Sequence, residues 1–325
     1  MTFIIHTVEL AMRDVSKFVE ESIQKLKDEI KETAIIACSG GVDSTTAAVL
    51  VNKAIGKQLV TVFVDTGYLR KGEAEKVQEL LKSLDLNLHF IDASKEFYKA
   101  LRGVSEPERK RKIIGNLFIK VFEREAEKVG ADTLIQGTIA PDWIESGGEL
   151  RDTIKSHHNV GGLPKDMKMK LVEPLRDLYK DEVRKLARHM DLEFAEKQPF
   201  PGPGLAVRVL GEPTEERTNI LREACAIVEE ELETAARRNE CELPWQYFAV
   251  LLPVKSVGVR GDVRAYGETV VIRAVQSLDG MTASASRLSF DILERISVRI
   301  TNAMQEIVRV VYDVTHKPPG TIEWE

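Results

Sequence analysis

The sequence has few cysteines and no long apolar run. Its 325 residues include three cysteines at scattered positions, without a C-x-x-C pair, so neither a disulfide framework nor a zinc site is predicted. No stretch approaches the length of a membrane-spanning helix, and acidic residues recur through the first 25 positions, so no signal peptide is predicted either. We therefore expect a cytoplasmic protein without a membrane partner.

The sequence also lacks an excess of positive charge. A net charge of −6 argues against a broad nucleic-acid surface, so we expect no nucleic-acid partner. Hydrophobic residues make up 43% of the chain, which is typical of a globular protein. Because 325 residues exceed the usual size of a single hydrophobic core, two domains are expected.

Strand and helix patterns alternate through the first half of the sequence. The predicted strands are Ala34–Cys38, Leu59–Asp65, Leu86–Ile91 and Thr133–Gln136, and the predicted helices are 8–31, Gly72–Leu84, Lys95–Leu101, Glu106–Val129 and Leu178–Met190. This alternation predicts an α/β fold with a doubly wound parallel sheet. Ligands of such sheets lie at the carboxyl ends of the strands, so the loops that follow these strands are expected to share a cleft.

The second half of the sequence alternates less regularly. The run PFPGPGL, Pro199–Leu205, is the predicted boundary, which gives domains 1–204 and 205–325. Beyond it the predicted helices are Thr214–Asn239 and Ser289–Ile300, and the predicted strands are Tyr247–Pro253, Thr269–Val275 and Ile307–Tyr312. This order predicts a C-terminal α+β domain. The irregular segment 139–170 is expected to be a lid or binding loop.

The motif SGGVDS, at 39–44, carries the strongest functional signal. It follows a predicted buried strand and opens a helix, so backbone N–H groups collect where a phosphate can bind. A kinase-type phosphate loop has a lysine at its end, whereas Asp43 and Ser44 stand here. The alternative is a tight strand–helix connection without a ligand.

This motif resembles the pyrophosphate loop of the N-type ATP pyrophosphatases, which have the adenine nucleotide alpha hydrolase-like fold. Other segments resemble GMP synthase: VFVDTGYLR at 62–70, ERKRKIIG at 108–115, QGTIAPDWIES at 136–146, KSHHNVGGLP at 155–164, EPLRDLYKDEVR at 173–184, PFPGPGLAVR at 199–208, LLPVKSVGVRGDVRAY at 251–266 and KPPGTIEWE at 317–325. The resemblance covers nearly the whole chain in the order of the family, and the last motif is especially specific.

Single-chain members of that family carry a glutamine amidotransferase domain ahead of the loop. Only 38 residues precede Ser39, too few for such a domain. The sequence therefore resembles the separate pyrophosphatase subunit of the two-subunit, archaeal-type enzymes. This resemblance implies an amidotransferase subunit as a partner, and a homodimer formed through the C-terminal domain.

The resemblance also implies a reaction, in which XMP, ATP and ammonia give GMP, AMP and pyrophosphate. The xanthine 2-oxygen would attack the α-phosphorus of ATP, and ammonia would then attack C2 and expel AMP. Such transfers depend mainly on positioning and on charge neutralisation. Mg²⁺ bound with ATP is the implied cofactor, held by few protein ligands.

The ATP-binding residues implied by the resemblance lie in the loop and the second predicted strand. They are Ser39, Gly40, Gly41, Val42, Asp43, Ser44, Thr45 and Val64. The backbone N–H groups and hydroxyls of the loop would hold pyrophosphate, and Val64 would line the adenine pocket. Asp43, Ser39 and Ser44 are the expected catalytic residues. Asp43 is also the expected magnesium contact, the alternative being a helix cap.

The XMP-binding residues implied by the resemblance are Arg111, Gln246, Asp262, Arg264, Lys317 and Glu323. An arginine suits phosphate because its planar fork binds oxyanions in two places. Glu323 could accept a hydrogen bond from an N–H group or a ribose hydroxyl. The alternatives are a surface charge on a helix for Arg111, and packing of the terminal segment for Lys317 and Glu323.

A positive lid over the substrates is expected from Lys155, His157 and His158, while Asp142 and Glu145 would face magnesium or organise that lid. Two other function classes remain open. A tRNA-modifying pyrophosphatase would need cysteine motifs and a basic surface, and the sequence has neither. A non-catalytic nucleotide-binding protein would not need the intact SGGVDS and KPPGTIEWE motifs.

Overall fold

The computed structural model describes residues 14–140, 169–192 and 198–325. These residues form two compact units. Of the described residues, the first contains 14–65, 75–93, 116–140 and 169–192, and the second contains 66–74, 94–115 and 198–325. The expected lid residues Lys155, His157 and His158, with Asp142 and Glu145, lie outside the described residues, as do positions 8–13 of the first predicted helix.

The helices, in chain order, are α1 Val15–Glu29, α2 Val42–Ile55, α3 Glu73–Ser83, α4 Ser94–Ala100, α5 Pro107–Val129, α6 Lys180–His189, α7 Glu215–Arg237 and α8 Phe290–Ala303. The strands are β1 Ala34–Ala37, β2 Leu59–Asp65, β3 Asn87–Asp92, β4 Thr133–Ile135, β5 Lys170–Val172, β6 Gln246–Arg260, β7 Val263–Gln276, β8 Ser284–Ala285 and β9 Ile307–Tyr312. Within the described ranges, no helix is long and apolar enough to cross a membrane.

The first unit contains a five-stranded parallel sheet in the order β3–β2–β1–β4–β5. The central strand β1 pairs with β2 on one side and with β4 on the other, so Ile35 lies between Val60 and Leu134. Because the strand order reverses beside β1, the loop after β1 lies at the topological switch point, where ligands of such sheets bind. The predicted doubly wound parallel sheet is confirmed.

Local sequence explains why β1 and α2 form where they do. The β1 sequence AIIA is apolar, and its first three residues are fully buried, as a central parallel strand requires. The buried face of α2 includes Ala47 and Ala48, whose small side chains permit close packing on the sheet. The strand β5 was not predicted, because a three-residue strand carries too little periodicity to be recognised.

The second unit is built on a long antiparallel ribbon of β6 and β7, closed by a two-residue turn at Gly261 and Asp262. Gly261 has φ +56°, the positive value that such hairpin turns need at their first central residue. The edge of β7 away from β6 pairs with β9 in parallel and with β8 in antiparallel orientation. Helix α7 packs on β6, so the α+β character predicted for this part of the chain is confirmed.

Both strands of the ribbon are longer than predicted. The residues that prediction left out include Gly258 and Gly267, which weaken a strand signal. In the structure, a Cβ on Gly258 would lie 2.8 Å from Val308 Cβ, and one on Gly267 would overlap Glu306 O. The two glycines therefore leave space for the segment 306–308 to pack against the ribbon. Strand propensity does not include such a tertiary contact.

Candidate functional site

The turn after β1 has the geometry of an anion-binding helix start. Cys38 N–H donates to Val62 O at 2.8 Å, which extends the β1–β2 pairing to the edge of the turn. Gly40 then adopts φ +74°, and Gly41 caps α2 in an extended conformation. The first-turn N–H groups of a helix have no intrahelical partners, so those of Val42 and Ser44 lie where phosphate oxygens can accept from them.

Two hydroxyls of the predicted catalytic set face each other across this turn. Ser39 Oγ lies 3.1 Å from Ser44 Oγ, and the N–H of Ser39 donates to Ser44 Oγ at 3.3 Å. The N–H of Gly41 donates to Ser39 Oγ, also at 3.3 Å. The structure thus brings Ser39 and Ser44 together at the start of α2.

The loop after β4 approaches the same turn, as predicted from the parallel sheet. A Cβ on Gly137 would lie 3.2 Å from both the N and the Cα of Ser44. The neighbouring Thr138 is 3% exposed, and within the described residues its Oγ1 has no hydrogen-bond partner. A buried hydroxyl of this kind is available to a water, an ion or a bound ligand. Thr138 is therefore a further candidate ATP contact, which sequence reasoning had treated only as a strand end.

Asp43 lies half-buried in the first turn of α2. A carboxylate there is favoured by the helix dipole and offers the hard oxygen ligand that Mg²⁺ prefers. Within the described residues, no group of three or more His, Cys, Asp or Glu side chains could hold a metal ion. A single carboxylate such as Asp43 suits a magnesium ion that takes most of its ligands from ATP and water.

The β2 residues near the expected adenine pocket are buried. Val64 is 5% exposed and pairs with Ile91 of β3. Phe63 is 4% exposed and stacks on Phe90, with 5.9 Å between ring centroids, so it belongs to the core. Val64 lies next to the carboxyl end of β2, and its role in the adenine pocket remains a prediction.

The cysteines do not form a nucleophilic site in the described part of the chain. Burial raises the pKa of the Cys38 thiol, and its sulfur lies 3.5 Å from Thr45 Oγ1. Burial likewise raises the pKa of the Cys225 thiol, to about 11. Both residues act as small buried side chains, while Cys241 is half-buried beyond the end of α7.

In the second unit, Gln246 and Arg208 both donate hydrogen bonds to the carboxylate of Glu323. Arg208 Nε donates to Glu323 Oε2 at 2.9 Å, and Arg208 Nη2 donates to Glu323 Oε1 at 2.7 Å. Gln246 Nε2 donates to the same Oε1 at 2.9 Å. Two of the expected XMP residues are therefore in direct contact, although 77 positions separate them in the sequence.

Arg111 and Lys317 are also fixed by contacts within the second unit. Arg111 Nη2 donates to Glu325 O, and the neighbouring Lys110, which is fully buried, forms an ion pair with the Glu325 carboxylate. Lys317 Nζ donates to Gly280 O at 2.7 Å. Arg111 thus lies against the segment 317–325 that carries Lys317 and Glu323.

Asp262 and Arg264 do not lie near the other expected XMP-binding residues. Both are exposed at the turn of the β6–β7 ribbon, whereas Gln246 begins β6. The 15 residues of β6 span on the order of 45 Å at about 3.3 Å per residue. That length is several times the size of a nucleoside monophosphate, so the two sets cannot contact one nucleotide within a single chain.

Sequence reasoning did not identify Arg208, which is 0% exposed. It lies in the stretch Leu205–Leu210, LAVRVL, where it is a single charge among apolar residues. A charged residue at a buried position requires a partner. A single arginine within an apolar run was therefore the sequence feature that could have indicated a buried ion pair. The identity of that partner could not be read from the sequence.

Comparison with known proteins agrees with these features. Residues 230–324 match the family model described as GMP synthase C terminal domain, and residues 11–121 match the model described as NAD synthase. A subunit of the glutamine-hydrolyzing GMP synthase of Pyrococcus horikoshii is 58% identical over 316 residues, which cover 96% of this chain and 100% of that protein. The chain belongs to the family of these GMP synthase subunits.

A second relative in this family is similar to the chain over nearly its whole length. The corresponding GMP synthase subunit of Methanocaldococcus jannaschii is 56% identical over 318 residues, covering 97% of this chain and 100% of that protein. Members of the GMP synthase family are enzymes of the ligase class, so the predicted family and enzyme class are confirmed.

Proposed function

We propose that this chain is the synthetase subunit of GMP synthase and converts XMP, ATP and ammonia to GMP, AMP and pyrophosphate. One observation carries the proposal: the turn 39–44 puts two facing hydroxyls and a glycine-capped helix start at the switch point of a parallel sheet. That arrangement suits an enzyme that grips pyrophosphate as a leaving group, and the chain belongs to a family of such ligases.

In the first step the loop holds the β- and γ-phosphates of ATP. The first-turn N–H groups of α2 and the hydroxyls of Ser39 and Ser44 donate to phosphate oxygens. The xanthine 2-oxygen attacks the α-phosphorus, an O–P bond forms, and the bond to pyrophosphate breaks. Asp43 would hold Mg²⁺, which when bound offsets negative charge on the phosphates.

In the second step ammonia attacks C2 of the adenylated purine. A C–N bond forms, the C2–O bond breaks, AMP leaves with the oxygen and its electron pair, and the added nitrogen releases a proton to solvent. Adenylation makes the step possible because a phosphate monoester is a far better leaving group than an unactivated carbonyl oxygen. Ammonia comes from a glutamine amidotransferase subunit, and in its absence the chain uses free ammonia.

XMP binds to the second unit, on the residues around the segment 317–325. Glu323, which Gln246 contacts, accepts from the base or the ribose, and Lys317 with Arg111 neutralises the phosphate. Glu323 can bind XMP and also pack the terminal segment. Its side chain is 18% exposed, so part of it remains accessible to a ligand.

The same proposal includes a homodimer formed through the β6–β7 ribbon. Val257 and Tyr266 pair across the strands, so their side chains share a face with Val259. These side chains are 47%, 69% and 73% exposed, which is unusual for large apolar residues and favours a protein partner. In a dimer the ribbon of one copy would carry Asp262 and Arg264 to the XMP of the other copy, which accounts for their distance from Gln246.

A pyrophosphate-release assay tests the proposed function. The purified chain is mixed with Mg·ATP and ammonium, and either XMP or unmodified tRNA is supplied as acceptor. We expect pyrophosphate release with XMP alone, accompanied by GMP. Release with tRNA only would instead indicate a tRNA-modifying enzyme, and no release with either acceptor would indicate a non-catalytic protein.

Omission of ammonium provides a further control on the order of steps. A single burst of pyrophosphate, about one per active site, is expected when XMP and ATP are present without ammonia, because adenylation precedes amination. Glutamine should replace ammonium only after the amidotransferase subunit is added. We expect these reactions to take place in the cytoplasm.

A further inference from the structure

We propose that Arg208 is a positioning residue for XMP, which acts by fixing the Glu323 carboxylate in one orientation. Its guanidinium contacts both carboxylate oxygens, at 2.9 and 2.7 Å, in the two-point arrangement that only arginine provides. The inference rests on the proposed function, in which Glu323 accepts a hydrogen bond from the nucleotide.

The contacts of Glu323 determine which oxygen is available to that nucleotide. Oε1 accepts from both Arg208 Nη2 and Gln246 Nε2, which uses both of its lone pairs. Within the described contacts, Oε2 accepts only from Arg208 Nε, so one lone pair remains on this atom. Arg208 and Gln246 therefore leave a single acceptor position, on Oε2, for an N–H or hydroxyl of XMP.

The guanidinium itself is held rigidly. Arg208 is 0% exposed, and its guanidinium carbon lies 3.9 Å from the ring centroid of Phe248 and 5.1 Å from that of Phe200. Phe200 also packs against Arg70, at 4.3 Å. Stacking on aromatic rings suits the flat guanidinium better than the compact ammonium group of lysine. These rings restrict the movement of the guanidinium, and its two hydrogen bonds restrict the Glu323 carboxylate in turn.

A purely structural role would be to anchor the segment 313–325, and two other fully buried cations already do so. Lys110 pairs with Glu325, and Arg273 donates to Thr315 O at 2.6 Å and to Thr321 O at 3.0 Å. Neither has a described contact with the Glu323 carboxylate. Loss of the Arg208 fork should therefore disturb Glu323 more than the segment as a whole.

The test compares Arg208→Lys with the matched control Arg273→Lys, since both replace a fully buried arginine that holds this segment. For Arg208→Lys we expect the KM for XMP to rise at least ~10-fold, which corresponds to one charge-assisted hydrogen bond. The kcat and the KM for ATP should stay within about 2-fold of wild type, because the phosphate loop is untouched. Arg273→Lys should lower the melting temperature and leave the KM for XMP within about 2-fold.

A second variant covers the case in which Arg208→Lys does not fold. Phe200→Leu removes one face of the stack while retaining the charge, and should weaken XMP binding about 3-fold by calorimetry. Unchanged XMP affinity in Phe200→Leu would overturn the inference in that case. An unchanged KM for XMP in a folded Arg208→Lys, or an equal rise in Arg273→Lys, would also overturn it. Wild-type protein that releases no pyrophosphate with XMP would overturn the proposed function itself.

Discussion

Gly40 lies directly against Val77. A Cβ on Gly40 would lie 2.7 Å from Val77 Cγ2, and Gly40 also adopts φ +74°. Val77 is 1% exposed on α3, so other atoms surround its side chain. The turn 39–44 therefore needs glycine at position 40 for two independent reasons, a left-handed backbone and the close approach of a buried side chain.

Substitution Gly40→Ala should lower the free energy of unfolding by about 2–4 kcal/mol and abolish XMP-dependent pyrophosphate release. About 1–2 kcal/mol comes from the positive φ, and the rest from the overlap with Val77. Urea unfolding measures the effect. Gly56→Ala is the matched control, because Gly56 has φ +57° at the other end of α2 and nothing within 4 Å of its Cβ position. Equal losses in both variants would show that the Val77 contact contributes nothing.

Substitution Asp43→Asn should reduce XMP-dependent pyrophosphate release by about 10²–10³-fold, because a neutral amide no longer offsets the charge of magnesium beside the phosphates. The melting temperature should change little, since loss of one carboxylate in the first turn of α2 removes only about 0.3–1 kcal/mol of helix-dipole stabilisation. Glu20→Gln, an exposed change on α1, serves as the control. Normal turnover by Asp43→Asn at ordinary magnesium concentrations would show that the metal assignment is wrong.

The buried thiol of Cys225 should make stability fall at alkaline pH. Burial raises its pKa to about 11 from an ordinary value of 9.0, so the native state keeps a proton that the unfolded chain loses earlier. The resulting stabilisation is present below pH 9 and is lost as the pH rises through about 11. It amounts to ~2–3 kcal/mol. The difference in unfolding free energy between wild type and Cys225→Ala should shrink by this amount over that interval; a constant difference would contradict the assignment.

Substitution Val259→Asp should convert the dimer to a monomer without unfolding the chain. Val259 is 73% exposed on the ribbon, so a charge there costs little in the monomer but is unfavourable in an apolar interface. Light scattering at micromolar concentration measures the outcome. Leu278→Asp is the control, because Leu278 is 99% exposed outside the ribbon and should leave the dimer intact. A monomeric wild type under the same conditions would argue against the proposed interface.

Subunit mixing tests whether Arg264 serves the XMP of the partner copy. Arg264→Ala and Lys317→Ala should each raise the KM for XMP as homodimers. After exchange, each mixed dimer should contain one intact site, and at low XMP about a quarter of wild-type activity should return. If both residues act within one chain, every site in the mixture has a defect and no activity returns.

The strand–turn–helix unit around SGGVDS could be predicted because its signals are local. An apolar run, two glycines and a following helical period lie within 20 residues, and β2, α3 and β9 were likewise placed within about two residues. The facing hydroxyls of Ser39 and Ser44 follow from the same short segment. In contrast, the outer halves of β6 and β7 depend on Val308, which lies far along the chain, and were not predicted.

By itself, the sequence determined the order of most strands and helices, the turn at 39–44 and the family, since each is encoded by residues that are neighbours in the chain. Only the tertiary structure decided which charges meet: Arg208 and Glu323 are 115 positions apart, and nothing local to either residue specifies the other. The physical reason is that a buried charge demands a partner without indicating where that partner lies, and only the packing of the whole unit brings the two together.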